Sequence, residues 1–328
     1  MKAQQPTDDT SESDIPRTLT TQSSKPSVSV IIPTRNEGTV IECCLASIFN
    51  QSVKPTEVIV VDGHSTDDTL EKAQRYPVRI VLESESPSLP NARNLGAQHA
   101  NGDVLLLLDA DMVLGQNCLK NALEYFRNPD VIAVVPDVEA SQHTRLEKIY
   151  GKWSQATENP ARIPNTNFIR AEVFNNIKYD RNLGFGEDDD FQIRLRQTYG
   201  NSNIVLASNC KISMHIPHSI SELWQQHTWY GRTFLRYFSK NHGIRQILIL
   251  GSLLFPTLLL IFAGVTLVFQ QLAFLMMIGL LLLIIKNLMA CYRSKTFYLV
   301  EFLGIEFLRS IFFMSGIVQR LFDEKITR

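Results

Sequence analysis

The stretch VLLLLDADMVL (residues 104–114) decides the fold class. Five consecutive apolar residues lead into two aspartates, Asp109 and Asp111, which are separated by one alanine. A continuous apolar run of this length is typical of a strand covered on both faces, as in a parallel sheet flanked by helices. A buried carboxylate without a partner costs several kcal/mol, so two aspartates at the end of such a strand need compensation from elsewhere in the chain.

The preceding residues repeat the pattern. Apolar segments at 28–32, 57–61 and 78–82 alternate with stretches of helical periodicity at 36–50, 66–75 and 89–100. This alternation predicts an α/β domain with a doubly wound, mostly parallel sheet. Ligands of such sheets bind outside the carboxyl ends of the strands.

Three of these strand ends carry polar residues: PTRNE (33–37), DGHSTDD (62–68) and DAD (109–111). Their convergence on one sheet edge predicts a ligand site. Two carboxylates close together repel each other unless a cation lies between them. Mg²⁺ or Mn²⁺ would take carboxylate oxygens and leave coordination positions for a diphosphate. The alternative is a solvated turn in which Asp111 caps the next helix.

Two further residues have alternative readings. Asp62 either caps the helix that starts near Thr66, or accepts a hydrogen bond from a base or ribose because Ser65 and Thr66 can serve as the cap. Arg93, in NARNLGA (91–97), is either a surface cation or the partner of an anionic or heterocyclic ligand, since a helix start mildly disfavours a cation.

The segment GFGEDDDFQIRLR (184–196) opens a helix with four consecutive acids. Negative charge is favourable at a helix N-terminus, but one or two acids would suffice for that purpose. Crowded carboxylates raise one another's pKa, which suits a general base. The two glycines predict a flexible approach to the site.

Together, PTRNE, VVDGHSTDDT, ARNLGAQHANGDVLLLLDAD and GFGEDDDF occur in the order of the family 2 glycosyltransferases of GT-A fold, and the resemblance spans residues 28 to about 235. The resemblance implies that a sugar is transferred with inversion from a nucleotide-sugar. It implies nucleotide-sugar contacts at Pro33, Thr34, Glu37, Asp62, Arg93 and Asp109, a divalent cation (Mn²⁺ or Mg²⁺) at Asp109 and Asp111, a catalytic base at Asp188, and an acceptor or substrate side at Glu187 and Trp229. His215, in SMHIPH, is a weaker metal candidate, because a lone histidine after a strand is more often structural.

The processive members of this family carry a QxxRW motif. Here Gln225 and Trp229 fit that motif, but Thr228 replaces its arginine. The sequence therefore predicts transfer of a single sugar, of hexosyltransferase type, rather than extrusion of a long polymer.

Two apolar segments near the carboxyl end, 247–269 and 272–292, are each long enough to span a bilayer and predict a transmembrane hairpin. Basic residues on both flanks place both of its ends in the cytoplasm, and Lys286 can snorkel. Residues 296–319 predict an amphipathic helix, interfacial rather than a third span, whose polar sector contains Glu301, Glu306 and Arg309. The aromatic and basic stretch 224–237 is expected to meet lipid headgroups.

The remaining features bound the class of protein. Residues 1–27 are rich in Ser, Thr, Asp and Pro and are predicted to be a disordered tail, followed by a GT-A domain at 28–240 and membrane-associated helices at 241–328. A net charge of −1 argues against nucleic acid as a partner. Five cysteines without CxxC spacing predict reduced thiols facing a cytosol.

The combined hypothesis is an integral, multi-pass membrane enzyme with a cytoplasmic catalytic domain. It would transfer a sugar from a UDP- or GDP-linked donor to a membrane lipid or a lipid-linked, cell-envelope glycan acceptor. One alternative is a haloacid-dehalogenase-type phosphatase, although Met112 and Val113 do not fit the residues that follow its nucleophile. The other is a non-catalytic membrane-bound nucleotide-binding protein, which would not need GEDDD. The sequence leaves the oligomeric state open.

Overall fold

The computed structural model of this chain describes residues 26–84, 87–141, 143–157, 168–240, 244–266 and 273–326. The predicted disordered tail therefore lies outside the described residues except for its last two. Ser27 is tied to the domain, because its backbone nitrogen and its hydroxyl both donate to Asp103 Oδ2, at 2.8 and 2.6 Å.

The described strands form one sheet. They are β1 (Val28–Thr34), β2 (Glu57–Asp62), β3 (Arg79–Leu82), β4 (Val104–Leu107), β5 (Met112–Leu114), β6 (Ala133–Ala140), β7 (Phe168–Arg170) and β8 (Ile204–Met214). Their order is β3-β2-β1-β4-β7-β6-β8-β5. The first four are parallel, whereas β7 is antiparallel to β4 and β6, and β5 is antiparallel to β8. The predicted α/β class is confirmed, and the parallel pattern holds for the half of the sheet that carries PTRNE, DGHSTDD and DAD.

The helices of the described residues are α1 (Ile41–Phe49), α2 (Thr69–Ala73), α3 (Leu89–His99), α4 (Cys118–Tyr125), α5 (Arg145–Thr157), α6 (Ala171–Asn176), α7 (Glu187–Tyr199), α8 (Ile220–Lys240), α9 (Ile244–Thr266), α10 (Ala273–Ser294) and α11 (Leu299–Ile326). The first helix begins later than its periodicity predicts. Asn36 has a positive φ of 58°, and its side-chain oxygen accepts from the backbone nitrogen of Thr66 at 2.8 Å. PTRNE is therefore a loop held against the loop after β2.

The sheet separates two hydrophobic cores. Along β1, Val30 and Ile32 pack into a core that includes residues of α1 and α4, while Ile31 packs into a second core with residues of α3, α6 and α7. Alternate side chains of a strand point to opposite faces, so a continuous apolar strand is what two covered faces require. Helix α3 lies especially close to β1, because a Cβ at Gly96 would be 2.3 Å from Ile31 Cγ2.

One pair of cysteines departs from the predicted reduced state. Cys118 of α4 and Cys210 of β8 are paired as a disulfide, with Cα atoms 4.6 Å apart. The prediction of reduced thiols is wrong for this pair, since the packing of α4 against β8 joins residues separated by 92 positions. Cysteine spacing along the chain does not reveal such a contact.

The carboxy-terminal helices agree only in part with the predicted hairpin. Among the described helices, Met276–Ser294 within α10 is long and apolar enough to cross a membrane, and the apolar part of α9, Leu250–Phe262, is shorter. The predicted connection at 270–271 lies outside the described residues. A second span, and with it the multi-pass topology, is therefore not supported. Helix α10 does leave large apolar side chains exposed, with Met277 at 61% and Leu281 at 56%.

Helix α11 is longer than predicted, and charged residues of its polar sector contact other parts of the protein. The charged residues of that sector are paired as follows: Glu301 with Arg145, Glu306 with Lys286 and Asn287, and Arg309 with His227. Lys286 of α10 thus forms an ion pair with Glu306 of α11. Periodicity correctly identified a polar face, but it could not identify the helices that cover that face.

Helices α8 and α11 cross at very short range through two glycines. A Cβ at Gly231 would lie 2.0 Å from the carbonyl oxygen of Phe313, and a Cβ at Gly316 would lie 2.0 Å from that of Thr228. The crossing therefore has no room for a side chain at either glycine. Thr228, the residue that departs from QxxRW, is buried here, 3.4 Å from the Phe312 carbonyl oxygen through its hydroxyl.

A matched pair of substitutions in α11 tests the crossing. Gly316→Ala should lower the free energy of unfolding by about 1–3 kcal/mol, because the methyl group forces the helices apart. Gly304→Ala, at a position with no neighbour within 4 Å, should instead stabilise the helix by about 0.5–1 kcal/mol. Thermal and denaturant unfolding of the full chain in detergent measures both. Equal effects at the two positions would contradict the close crossing.

Candidate active site

Arg93 of α3 joins the two acidic motifs. Its Nη2 donates to Asp109 Oδ1 at 2.9 Å, and its Nη1 donates to Asp188 Oδ1 at 2.7 Å and to Glu187 Oε1 at 3.5 Å. We refer to these four residues as the Arg93 cluster. Asp109, two residues after β4, and the first turn of α7 are thereby held together at the carboxyl edge of the parallel strands.

The burial of Arg93 depends on these partners. Its side chain is only 4% exposed. Desolvation lowers its pKa, but the nearby carboxylates of Asp188 and Asp109 outweigh that effect and raise the pKa well above the ordinary value. A buried guanidinium is tolerated when it is ion-paired and hydrogen-bonded. Arg93 is therefore a charged internal connector rather than a surface cation.

Asp111 and Glu37 lie beside the Arg93 cluster and add negative charge to this part of the site. Burial, followed by repulsion from Asp109 and Glu37, raises the pKa of Asp111 to about 8. Burial, followed by repulsion from Asp109 and Asp67, raises the pKa of Glu37 to about 7. Crowded carboxylate oxygens are the ligands that a hard divalent cation prefers, and a cation there would relieve the repulsion. The carboxylate oxygens of the DAD motif are therefore suitable ligands for Mn²⁺ or Mg²⁺.

The acids at the start of α7 differ in their surroundings. Burial, followed by repulsion from Asp188, raises the pKa of Glu187 to about 8, and its side chain is 8% exposed. Asp188 is 21% exposed, and its Oδ1 also accepts from the Tyr179 hydroxyl at 3.1 Å. The expected rise in pKa from crowded acids thus falls on Glu187, whereas the more accessible carboxylate is that of Asp188.

Tyr179 is a site residue that the sequence analysis missed. Besides its bond to Asp188, its ring lies 5.0 Å from the guanidinium carbon of Arg93 and stacks on Phe191 at 4.4 Å. Its position in the sequence carries no motif or periodicity that marks it. The contact arises because the segment before α7 folds back over α3, where Asn94 bonds both backbone groups of Tyr179.

The other residues that are predicted to contact the nucleotide-sugar lie at the same edge of the sheet. Pro33 pairs in register with Val61, and Thr34 with Asp62. Asp62 is buried, and its two carboxylate oxygens accept from the hydroxyl and the backbone nitrogen of Ser65, at 2.5 and 3.0 Å. The expectation that Ser65 leaves Asp62 free is therefore wrong, because Ser65 is the residue that binds it.

The two glycines of GFGEDDD are packed rather than flexible. A Cβ at Gly184 would lie 2.6 Å from Thr233 Cγ2, and one at Gly186, where φ is +77°, would lie 2.5 Å from the Tyr237 ring. The loop before α7 therefore lies directly against α8. Tyr237 is fully buried in this contact, so its predicted place among lipid headgroups is wrong. Arg232, predicted to meet lipid phosphates, donates to Gln319 Oε1 at 2.8 Å.

His215 and Trp229 are not among the contacts of the Arg93 cluster. The backbone nitrogen of His215 donates to the Asp111 carbonyl oxygen at 2.9 Å, but its ring faces His218 and Glu222. Trp229 is 40% exposed on α8. The structure thus brings together Glu37, Arg93, Asp109, Asp111, Glu187 and Asp188. The roles of His215 and Trp229 stay predictions.

Comparison with known proteins agrees with this fold. The model of the family described as "Glycosyl transferase family 2" matches residues 29–185. The chain is 28% identical over 178 residues to the minor teichoic acid biosynthesis protein GgaB of Bacillus subtilis, covering 49% of this chain and 20% of that protein. It is 36% identical over 113 residues to a dolichol-phosphate mannosyltransferase of Pyrococcus furiosus, covering 33% of this chain and 32% of that protein. The chain thus spans a fifth to a third of the length of these two relatives.

A solved structure shares the fold over most of the chain. The mannosyltransferase PcManGT from Pyrobaculum calidifontis, in complex with GDP-Man and Mn²⁺, has a TM-score of 0.53 and 18% identity, and the likeness covers 92% of this chain and 88% of that one. Residues 29–185 of this chain are thus similar to glycosyl transferase family 2, and the likeness to PcManGT is one of fold.

Proposed function

We propose that this chain transfers a single hexose-type sugar, with inversion, from a UDP- or GDP-linked donor to an acceptor at the cytoplasmic face of a membrane. The observation that carries the proposal is the Arg93 cluster, which places an accessible carboxylate, Asp188, beside the metal-type DAD motif. A haloacid-dehalogenase-type phosphatase or a non-catalytic nucleotide binder would not require this juxtaposition.

Asp111 and Asp109 would hold the divalent cation. Burial, followed by repulsion from Asp109 and Glu37, raises the pKa of Asp111 to about 8, and a cation bound there would offset this repulsion. Bound there, the cation would neutralise the charge that develops on the leaving nucleoside diphosphate. PcManGT, whose structure contains GDP-Man and Mn²⁺, offers a parallel for this arrangement.

The nucleotide would lie along the edge formed by the ends of β1 and β2. Pro33, Thr34 and Asp62 are adjacent there through the parallel pairing of the two strands, and Glu37 follows in the loop. The network between Asp62 and Ser65 fixes the loop after β2, so Asp62 would act by shaping that loop as well as by facing the ligand. Arg93 would hold Asp109 and Asp188 at a constant separation across the reacting centre.

Asp188 is the base of the proposed reaction. It would accept the proton of the acceptor hydroxyl while that oxygen forms a bond to the anomeric carbon and the bond from this carbon to the diphosphate breaks. A single displacement of this kind inverts the anomeric centre. Asp188 is preferred to Glu187 because a base must reach its substrate, and the side chain of Asp188 is 21% exposed whereas that of Glu187 is 8% exposed.

A membrane-embedded acceptor is supported by the exposed apolar surface of α10 and by the relatives. One relative bears the name of a dolichol-phosphate mannosyltransferase and the other that of a teichoic acid biosynthesis protein. Anchoring the domain beside a lipid-linked or cell-envelope glycan acceptor would raise the effective concentration of that acceptor. Trp229, exposed on α8, would be on the acceptor side.

Two neighbouring isosteric substitutions test the base. Asp188→Asn removes basicity and should lower turnover on the order of 10²–10⁴-fold with little change in donor binding. Glu187→Gln keeps the shape of a buried side chain that is not the proposed base, so it should lower turnover less than about tenfold. The release of nucleotide from the donor in the presence of membranes measures both. The reverse order of effects would assign the base to Glu187.

Removal of the metal tests the cation. A chelator should abolish transfer, and added Mn²⁺ or Mg²⁺ should restore it. Asp111→Ala should stay inactive at any concentration of either metal, because an essential oxygen ligand is missing. Asp130→Ala, in an exposed turn far from DAD along the chain, is the matched control and should behave as wild type. Full activity of the wild-type protein in chelator would exclude the proposed metal dependence.

Charges on α10 test the membrane contact. The double variant Met277→Glu, Leu281→Glu places two carboxylates on exposed apolar positions, and membrane partitioning should fall at least about 100-fold. Leu206→Glu, at a residue that is 69% exposed on β8, should leave partitioning unchanged. Co-flotation with phospholipid vesicles measures all three proteins. Undiminished flotation of the double variant would show that α10 is not the membrane contact.

A further inference from the structure

A cleft of about 240 Å³ lies between the end of α5 and one face of α10. Ala156 forms the wall on α5. The wall on α10 is formed by residues at intervals of three or four positions, namely Leu282, Ile285, Lys286, Met289, Ala290 and Arg293. Residues at this spacing share one face of a helix. The cleft is therefore lined mostly by apolar side chains, with two cations among them.

The cleft lies along the part of α10 that is long and apolar enough to cross a membrane, Met276–Ser294. Arg293 is near the end of that segment, and about 16 Å of helix separates it from Leu282 at a rise of ~1.5 Å per residue. One leaflet of a bilayer contains about 15 Å of hydrocarbon, which is half of the ~30 Å core. The apolar side chains between these two residues are exposed, with Ile285 at 42% and Met289 at 51%. In a bilayer, the cleft would combine a cation at the depth of the headgroups with an apolar surface one leaflet deep.

The two cations of the cleft differ in their partners. Lys286 Nζ forms an ion pair with Glu306 of α11, whose side chain is 3% exposed, so the charge of Lys286 is already compensated. Arg293 Nη1 donates to the Ala156 carbonyl oxygen at 3.3 Å. In the described parts of the chain, no carboxylate pairs with Arg293. A single bond to a carbonyl oxygen uses one of the five N–H groups of a guanidinium and leaves its charge uncompensated. The cleft therefore has one net positive charge, at its polar end.

We propose that this cleft binds one anionic phospholipid, whose phosphate contacts Arg293 and one of whose acyl chains lies along Met289, Ile285 and Leu282. A guanidinium donates two parallel hydrogen bonds to phosphate oxygens, and basic pockets beside membrane helices bind lipid headgroups. Because Ala156 belongs to α5, the bound lipid would lie in the leaflet on the side of the domain that carries the Arg93 cluster and would connect that domain to α10.

The charge of the cleft selects among lipids. A phosphodiester carries one negative charge, which matches the single uncompensated charge of Arg293. A lipid phosphate monoester would bring a charge of about −1.5 to −2 at pH 7, which exceeds that compensation. A zwitterionic headgroup contains its own cation and gains less from Arg293. The proposal rests on the membrane contact of α10 under the proposed function, but not on sugar transfer, and it concerns a bound lipid rather than the acceptor.

The test uses the delipidated full chain in detergent, mixed with equal amounts of phosphatidylglycerol and phosphatidylcholine. Native mass spectrometry should show one retained phosphatidylglycerol per chain, preferred to phosphatidylcholine by at least about tenfold. Arg293→Gln removes the charge and keeps an amide that can donate to the Ala156 carbonyl oxygen, so the preference should fall below about twofold. Arg293→Lys keeps the charge and should keep a preference of at least about fivefold.

Two controls make the result specific. Lys295→Gln removes the same charge from an exposed residue directly after α10, and it should leave the preference unchanged. Excess soluble glycerol phosphate should not displace the lipid, because it lacks the acyl chains that the apolar wall of the cleft holds.

The proposal is overturned by any of three results: equal retention of the two lipids by the wild-type protein, equal effects of Arg293→Gln and Lys295→Gln, or displacement of the lipid by glycerol phosphate. Arg293→Gln should still float with phosphatidylcholine vesicles as the wild-type protein does, which shows that its fold is intact. Flotation and lipid selection are measured separately, and sugar transfer is not measured. Failure of this site is therefore distinguishable from failure of the proposed function.

Discussion

A buried guanidinium shared by three carboxylates is the interaction on which the rest of the site depends. Arg93 can lie inside because Gly96, one turn later, lets α3 approach β1 closely. The guanidinium then satisfies Asp109 and Asp188, which come from distant parts of the chain. Removal of one partner from such a network is costly, since it leaves the other charges buried without compensation. The position of α3 therefore sets the separation between the metal-type motif and the proposed base.

The carboxy-terminal helices pack against the segment that carries the acidic turn of α7, and they also provide the exposed apolar surface of α10. Helix α8 receives the loop before α7 at Gly184 and Gly186, and Lys240 at its end bonds Asp190 at 2.8 Å, inside the acidic turn. Helix α11 in turn locks α8 through the crossing at Gly231 and Gly316. A change in how α8 and α11 pack would consequently be transmitted to the first turn of α7. The distinction between a catalytic domain and a membrane appendage is thus less sharp than the sequence alone indicates.

The sequence predicts what is local and misses what depends on tertiary contact. Continuous apolar strands and polar strand ends identified the parallel half of the sheet and the edge that gathers DAD and EDDD. Tyr179 escaped notice because its role arises only when the segment before α7 folds over α3. The glycines of GFG predicted a flexible loop, because the sequence alone does not distinguish a glycine required by close packing from one that gives flexibility. Packing between separate segments likewise determines three contacts that the sequence does not reveal. These are the pairing of Cys118 with Cys210, the partners of the charged residues of α11, and the neighbours of His215.

We propose that the edge organised by Arg93 binds a nucleoside diphosphate through a divalent cation at Asp111. The most direct measurement is an anomalous difference map, at the manganese edge, of the protein crystallised with Mn²⁺ and a nucleoside diphosphate. We expect a peak about 2.0–2.4 Å from a carboxylate oxygen of Asp111, with diphosphate oxygens completing the coordination and the nucleoside lying toward Asp62. A nucleotide bound elsewhere, or bound at this edge with no manganese peak beside Asp111, would contradict it.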